Sequence, residues 1–208
     1  GFSLSDSTFV GNTGKTDGGA IFFPRDTSGN GVIDTRDKSF TRCNFSNNEA
    51  VSKRGGAIFI DANVLSVVNT TFVSNIVKGA AASALGGAIF GQGSSVLNLE
   101  NVRFLSNRAN GKGGAMYLLG GTKGKIRGIE LRNNVAVLAG GGILASGSTI
   151  EFQPSIFQTV LIANAVESSY VADGDNGFPH GVGGGICGEG MQLFYDDPTS
   201  IITQNTAA

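Results

Sequence analysis

Residues 26–37 carry the spacing of side chains that most specifically suggests chemistry. Oxygen-bearing side chains stand at the first, third, fifth, ninth and twelfth positions of this segment, with a glycine at the sixth and an aliphatic residue at the eighth. Calcium takes roughly six to eight oxygen ligands, and this spacing, with glycine at the sharp turn, curls a chain around one ion. The chemistry predicted here is the binding of one calcium ion that orders a loop, not catalysis.

The segment resembles the calcium loop of EF-hand and dockerin proteins. That resemblance implies three side-chain ligands, then a carbonyl ligand, then a direct or water-mediated ligand, and finally a closing carboxylate. In this sequence these are Asp26, Ser28, Asn30, Val32, Asp34 and Asp37. The alternative is a solvated polar loop whose Asx turns mimic the motif.

A second long insertion, residues 167–182, contains the single histidine of the chain, His180. Asp173, Asp175 and Asn176 could hold another cation, but their pattern is too short to be specific. We predict a mobile surface loop there.

These insertions interrupt a repeat that covers the whole chain. Seven times a large apolar residue, the anchor, is followed three positions later by asparagine, and six of those times a Gly-Gly step follows. The pairs are Phe9/Asn12, Phe45/Asn48, Phe72/Asn75, Phe104/Asn107, Leu131/Asn134, Leu161/Asn164 and Ile202/Asn205. The glycine steps begin at Gly18, Gly55, Gly86, Gly113, Gly140 and Gly183. Such self-similarity predicts a repeat architecture.

The fourth repeat shows how one copy folds. Leu97 and Leu99 alternate with polar residues, as in a strand with one buried face, and Val102 and Phe104 alternate again one residue out of phase. The phase changes at Asn101, and asparagine tolerates the left-handed backbone that a corner requires. Each repeat is therefore predicted to form one coil of three short strands joined by tight corners.

Equivalent positions of successive repeats predict three apolar ridges that stabilise a coil only when its neighbours are present. They are the columns Leu4/Phe40/Val67/Leu99/Ile126/Ile156, Phe9/Phe45/Phe72/Phe104/Leu131/Leu161 and Ile21/Ile58/Ile89/Met116/Ile143/Ile186. Repeat length varies from 27 to 41 residues, and neither a Leu-x-x-Leu-x-Leu pattern nor a six-residue beat is present. We predict an all-β fold, a right-handed parallel β-helix of six to seven coils. We expect it to form one domain over residues 1–208, as part of a longer protein, with insertions at about 24–38 and 167–182.

The asparagines that follow the anchors are predicted to form a structural ladder. An inward polar group must be satisfied internally, so each amide is expected to bond to its equivalents in the neighbouring coils. The ladder residues are Asn12, Asn48, Asn75, Asn107, Asn134, Asn164 and Asn205. The alternative is a row of polar ligand contacts.

A fourth apolar column adjoins the third ridge and must point to the opposite face of the same strands. It consists of Phe22, Phe59, Phe90, Tyr117 and Leu144. Exposed apolar surface of this length usually marks an interaction. The column is either covered by other protein or forms a free binding stripe.

Two classes of function remain open, a non-enzymatic surface module and a polysaccharide lyase, hydrolase or epimerase. The enzymes need carboxylates, or a base with bound calcium, clustered on one outward sheet face. Beside the anchors the only charged group is Arg103, Glu130 and Arg132, and one acid between two arginines is typical of a surface ion pair. No catalytic residue is predicted.

The composition of the chain limits the classes of partner that it is expected to bind. The formal charge of −1 offers no basic footprint for nucleic acid, and no apolar run is long enough to cross a bilayer. Thirty-three glycines and the absence of tryptophan indicate a turn-rich β protein. Cys43 and Cys187 are expected on the order of 20 Å apart across the stack, so they should remain separate thiols.

The repeated Phe-x-x-Asn and Gly-Gly-Ala-Ile motifs resemble the repeat of the chlamydial polymorphic outer membrane proteins. The likeness runs from Phe9-Val10-Gly11-Asn12 to Ile202-Thr203-Gln204-Asn205. That family consists of autotransporters whose β-helical passengers act at the cell surface as adhesins. The resemblance implies an extracellular or cell-surface adhesin or stalk. Its partner would be a surface protein, a glycan, or neighbouring coils of the same polypeptide.

Overall fold

The computed structural model describes residues 1–26, 34–155, 158–167, 183–195 and 201–207. The regular structure in these residues is entirely β-strand. The strands are β1 (Phe2–Ser5), β2 (Thr8–Val10), β3 (Thr13–Gly14), β4 (Ile21–Phe23), β5 (Asp34–Thr41), β6 (Asn44–Ser46), β7 (Glu49–Ala50), β8 (Ile58–Asp61), β9 (Asn63–Val68), β10 (Thr71–Val73), β11 (Ile76–Val77), β12 (Ile89–Gln92), β13 (Val96–Leu105), β14 (Arg108–Ala109), β15 (Met116–Leu119), β16 (Lys123–Arg132), β17 (Val135–Ala136), β18 (Ile143–Ser146), β19 (Thr149–Phe152), β20 (Val160–Ile162), β21 (Ala165–Val166), β22 (Ile186–Glu189), β23 (Gln192–Tyr195), β24 (Ile201–Thr203) and β25 (Thr206–Ala207).

Each strand pairs in parallel with its equivalent in the next coil, which produces three sheets. Sheet A has 12 strands in two rows, β1-β5-β9-β13-β16-β19-β23 and β2-β6-β10-β13-β16-β20-β24, which merge because β13 and β16 run through both. Sheet B has seven strands, β3-β7-β11-β14-β17-β21-β25, and sheet C has six, β4-β8-β12-β15-β18-β22. The predicted all-β solenoid of stacked parallel coils is confirmed.

The number of coils differs slightly from the predicted six to seven. Four successive coils, which begin at β5, β9, β13 and β16, lie in the uninterrupted stretch 34–155. Strands before and after them extend the sheets to the six and seven strands given above. The right-handed sense of the coil stays a prediction.

The corner between the two rows of sheet A lies where the sequence predicts it. Asn69, Asn101 and Gly128 have φ angles of 50°, 49° and 64°, in the left-handed region that asparagine and glycine adopt most easily. This residue shifts the alternation by one position, so that Leu99 before it and Val102 after it are both buried. One left-handed residue per coil thus directs both rows of sheet A toward one core.

The three predicted ridges form the main core, and aromatic rings stack along the second of them. Ring centroids are 4.4 Å apart for Phe9 and Phe45, 4.8 Å for Phe45 and Phe72, and 4.9 Å for Phe72 and Phe104. The last three of these phenylalanines are fully buried. Because Phe45 and Phe72 each contact one ring in the coil above and one in the coil below, the apolar stabilisation of a coil depends on its neighbours.

The first ridge departs from the prediction in the sixth coil. Phe152, not Ile156, pairs with Ile126 and lies in the core. Strand β19 ends at Phe152, and additional residues separate it from β20. Counting back five positions from Leu161 therefore lands in this connection, and Ile156 itself lies outside the described residues.

The described residues also bear on the predictions made for the two cysteines and for membrane-spanning segments. Cys43 and Cys187 form no disulfide with each other. No helix in the described ranges has the length and apolar character needed to span a membrane.

Candidate interaction surface

The seven asparagines that follow the anchors form one continuous hydrogen-bonded column. After Asn12, the side-chain oxygen of each asparagine accepts two hydrogen bonds from the asparagine of the preceding coil, one from its backbone N–H and one from its side-chain amide. For Asn48 and Asn75 these distances are 3.1 and 2.9 Å. The same pair recurs at every step from Asn12 to Asn205.

From Asn48 onward, the side-chain amide of each asparagine also donates a hydrogen bond to the backbone carbonyl of the anchor in the preceding coil. Asn107 Nδ2, for example, donates to Phe72 O at 3.0 Å. Five of these asparagines, Asn48, Asn75, Asn107, Asn134 and Asn164, are fully buried. The side-chain amides of these five residues are engaged inside the protein, so they join neighbouring coils and offer no surface to a ligand.

The candidate binding stripe is largely covered by the chain itself. Phe59, Phe90, Tyr117 and Leu144 are 3, 0, 6 and 0% exposed, whereas Phe22 in the first coil is 50% exposed. These four residues therefore do not present a free apolar surface. They form a second apolar cluster on the outer face of sheet C.

The cover comes from the residues just before each Gly-Gly step. Arg54, Leu85, Lys112 and Ala139 are joined by parallel bridges from coil to coil. The Arg54 guanidinium lies 4.7 Å from the ring centre of Phe59 and 5.2 Å from that of Phe90, while Leu85 and Ala139 pack on the same cluster. The hypothesis of a free stripe is wrong for these coils because this corner places apolar and cationic side chains over the aromatic rings.

The beginning of the candidate calcium loop is held against the next coil. Arg25 Nη2 lies 3.2 Å from Asp61 Oδ1, and Asn63 Nδ2 donates to Pro24 O at 3.1 Å. Asp26 is exposed where the chain leaves β4, and Asp37 is exposed on strand β5, which begins at Asp34.

The remaining loop ligands, Ser28, Asn30 and Val32, lie outside the described residues, so the calcium geometry stays a prediction. Most of the second insertion, including Asp173, Asp175, Asn176 and His180, also lies outside them. At the start of this insertion, Glu167 forms a bidentate ion pair with Arg108, and both N–O distances are 2.6 Å.

The charged group beside the anchors is an ion-paired cluster on the outer face of sheet A. Glu130 Oε2 lies 2.7 Å from Arg103 Nε, and Glu130 Oε1 lies 3.0 Å from Arg132 Nε. Burial alone would raise the pKa of Glu130, but the hydrogen bonds and charges of the two arginines outweigh it and hold the pKa below its usual value. Glu130 is therefore a fixed carboxylate at neutral pH, which makes it a poor proton donor.

A shallow groove of about 360 Å³ lies on the outer face of the first row of sheet A. Its polar lining is Ser66, Asn98, Glu100, Lys125, Arg127 and Gln153. Within the described part of the chain, neither Lys125 nor Arg127 has a carboxylate partner. Arg127 Nε instead donates to Gln153 Oε1 at 2.7 Å, which leaves two cationic groups facing the groove.

Sequence reasoning missed this groove. The charged group recognisable from the sequence lies directly beside the anchors, whereas Ser66, Asn98 and Lys125 each lie six positions before an anchor, on the preceding strand segment. The register places them side by side, one per coil. A column-by-column alignment of the positions before the anchors would have detected them.

The repeat itself is the feature that connects this chain to known proteins. Residues 6–24 and 42–61 match the family described as the Chlamydia polymorphic membrane protein repeat. Neither a curated protein nor a solved structure matches the chain. The resemblance inferred from the motifs is thus confirmed for two segments of the N-terminal region.

Proposed function

We propose that this chain is a non-enzymatic β-solenoid module of a cell-surface protein, serving as an adhesin or a structural stalk. The observation that carries the proposal is the repeat at residues 6–24 and 42–61. The asparagine of this repeat recurs in every coil, and the hydrogen-bonded ladder that these residues form extends to Asn205. A stack with this regularity is built to hold a long patterned outer surface in a fixed arrangement.

The ion-paired state of Glu130 supports a non-enzymatic role. A glycoside-cleaving enzyme requires an acid that can donate a proton and a second carboxylate or base close to it. On the charged patch beside the anchors, the single carboxylate is held by Arg103 and Arg132. Incubation with pectin and alginate should therefore yield neither new reducing ends nor unsaturated products, and either product would overturn the non-enzymatic assignment.

The surface location is tested by antibody labelling of intact cells that produce the protein. We expect labelling without permeabilisation, and labelling that appears only after permeabilisation would contradict the proposal. Beads coated with the folded protein then separate the two roles, since an adhesin retains beads on host cell layers and a stalk does not. Beads coated with the heat-unfolded protein are the control.

We also propose that the loop 26–37 binds one calcium ion that stabilises it. The support is the spacing of its oxygen-bearing residues. Its entrance is fixed by the Arg25–Asp61 ion pair and by the hydrogen bond from Asn63 to Pro24.

A further inference from the structure

We infer that the groove on the first row of sheet A binds a linear glycan that bears carboxylate groups. The inference rests on the proposed surface function, because such a glycan would be met outside the cell. The bound chain would run along the solenoid axis, across successive coils.

The arrangement of the groove fits a polymer. Ser39, Ser66, Asn98, Lys125 and Glu151 are paired in register, so that one outward side chain is contributed by each coil. Neighbouring parallel strands are spaced about 4.8 Å apart. Hydroxyl, amide and ammonium groups repeated at this interval can bond to the hydroxyl and carboxylate groups that recur along a polysaccharide.

The charges of the groove favour an anionic ligand. Lys123, Lys125 and Arg127 all lie on the outer face of β16 and are exposed. Of these three cations, Lys125 and Arg127 line the groove itself. The facing acids in the adjacent coils are Glu100 and Glu151, so the three cations of β16 exceed the two acids by one charge. An ammonium or guanidinium without an acidic partner forms a strong charge-assisted hydrogen bond to a carboxylate.

One end of the groove provides an apolar platform. Phe194 is paired in register with Glu151 and is 54% exposed. It lines a second hollow, also of about 360 Å³, with Phe152, Gln153 and Pro154. An exposed aromatic ring beside hydrogen-bonding groups suits the apolar C–H face of a sugar ring.

A protein partner fits this surface less well. Protein interfaces are centred on desolvated aromatic or arginine anchors and exclude charge from their middle. Here the centre of the groove consists of Asn98, Glu100 and Lys125, and the exposed ring of Phe194 lies at its edge. The groove is therefore assigned to a glycan.

The test measures binding of the folded chain to polygalacturonate by isothermal calorimetry. Fully methyl-esterified polygalacturonate, which has the same backbone without charge, is the matched ligand. The variant Lys125→Gln/Arg127→Gln removes both cations of the groove. The control variant Lys15→Gln/Lys53→Gln removes the same charge from exposed positions away from sheet A.

We expect the wild type and the control variant to bind polygalacturonate alike and the ester poorly. The groove variant should bind about tenfold more weakly or worse, because two charge-assisted hydrogen bonds are lost. Absence of binding by the wild type, or equal weakening in both variants, would overturn the inference. If coated beads still adhere to cells in that case, the groove assignment fails while the surface function stands.

Discussion

Asn75 donates two hydrogen bonds to a single atom of Asn107, the side-chain oxygen. Its backbone N–H lies 3.0 Å from that oxygen, and its side-chain nitrogen lies 2.9 Å from it. Both residues are fully buried. The identity of one side chain in each coil therefore determines whether two donors in the preceding coil are satisfied.

Replacement of Asn107 by alanine should strongly destabilise the solenoid. The change leaves two donors of Asn75 and the carbonyl of Phe72 without a side-chain partner in a buried site. Since each buried unsatisfied group costs about 1–3 kcal/mol, we expect a loss of about 3 kcal/mol or more. Urea unfolding followed by circular dichroism measures this loss.

The matched control is Asn98→Ala, which lies in the same coil on the outer face of sheet A. Its side chain makes one long contact, 3.4 Å to Ser66 Oγ. The expected change is within about 0.5 kcal/mol. Similar losses for the two variants would contradict a stabilising role for the ladder.

Gly87→Ala should disrupt the corner before sheet C. A Cβ at Gly87 would overlap the carbonyl oxygen of Gly114 in the next coil, a backbone atom that cannot rotate away. Gly120→Ala is the control, because its φ of 59° is left-handed but its surroundings are open. It should cost only about 1–2 kcal/mol.

Yields of folded protein and thermal midpoints separate these two glycine variants. Gly87→Ala should fold poorly or melt at a markedly lower temperature than Gly120→Ala. If Gly87→Ala lowered the folded yield and the thermal midpoint less than Gly120→Ala, neighbouring coils would not approach each other as closely at this corner as described.

Glu130 should make stability depend on acid pH. Its pKa is lower in the folded protein than the ordinary value of 4.5, so its contribution is complete above that pH and is lost as pH falls through the folded-state pKa. The carboxylate and its arginines are partly exposed, so this contribution is below about 1 kcal/mol.

Denaturant unfolding between pH 6 and pH 3 tests this linkage. Glu130→Gln and the double variant Arg103→Gln/Arg132→Gln should both show a shallower loss of stability on acidification than the wild type. If the unfolding free energy of Glu130→Gln fell with pH as steeply as that of the wild type, the ion pairs of Glu130 would contribute nothing to folding stability.

Much of this fold could be predicted because the repeat specifies residue types at inward positions. Anchors, ladder asparagines and the corner at Asn101 are each recognisable from side-chain chemistry and spacing. The cover over Phe59 and Phe90 was not predictable in the same way. It depends on the direction in which the Gly-Gly corner turns, which places Arg54 above the rings.

The groove was missed for a related reason. Outward positions tolerate many residue types, so Ser66, Asn98 and Lys125 share no chemical signature. Only the register between coils of unequal length brings them together. The sixth coil shows the same limit, since its additional residues moved the core position from Ile156 to Phe152.

Calcium should raise the thermal midpoint of the wild type, because an ion that binds only the folded state stabilises it. Asp26→Ala should remove this shift, since Asp26 supplies the first predicted ligand. Glu100→Ala, an exposed carboxylate on sheet A, should retain it. The measurement is a melting curve with calcium or with EDTA, and the absence of a shift in the wild type would reject the site.

Hydrogen exchange of the asparagine side chains tests the stacked solenoid most directly. Two-dimensional NMR after transfer to deuterated solvent should show slowly exchanging side-chain amides for Asn48, Asn75, Asn107, Asn134 and Asn164. The amide of Asn98, on the outer face, should exchange at once. Rapid exchange of all these side chains in the folded protein would contradict a buried ladder that joins the coils.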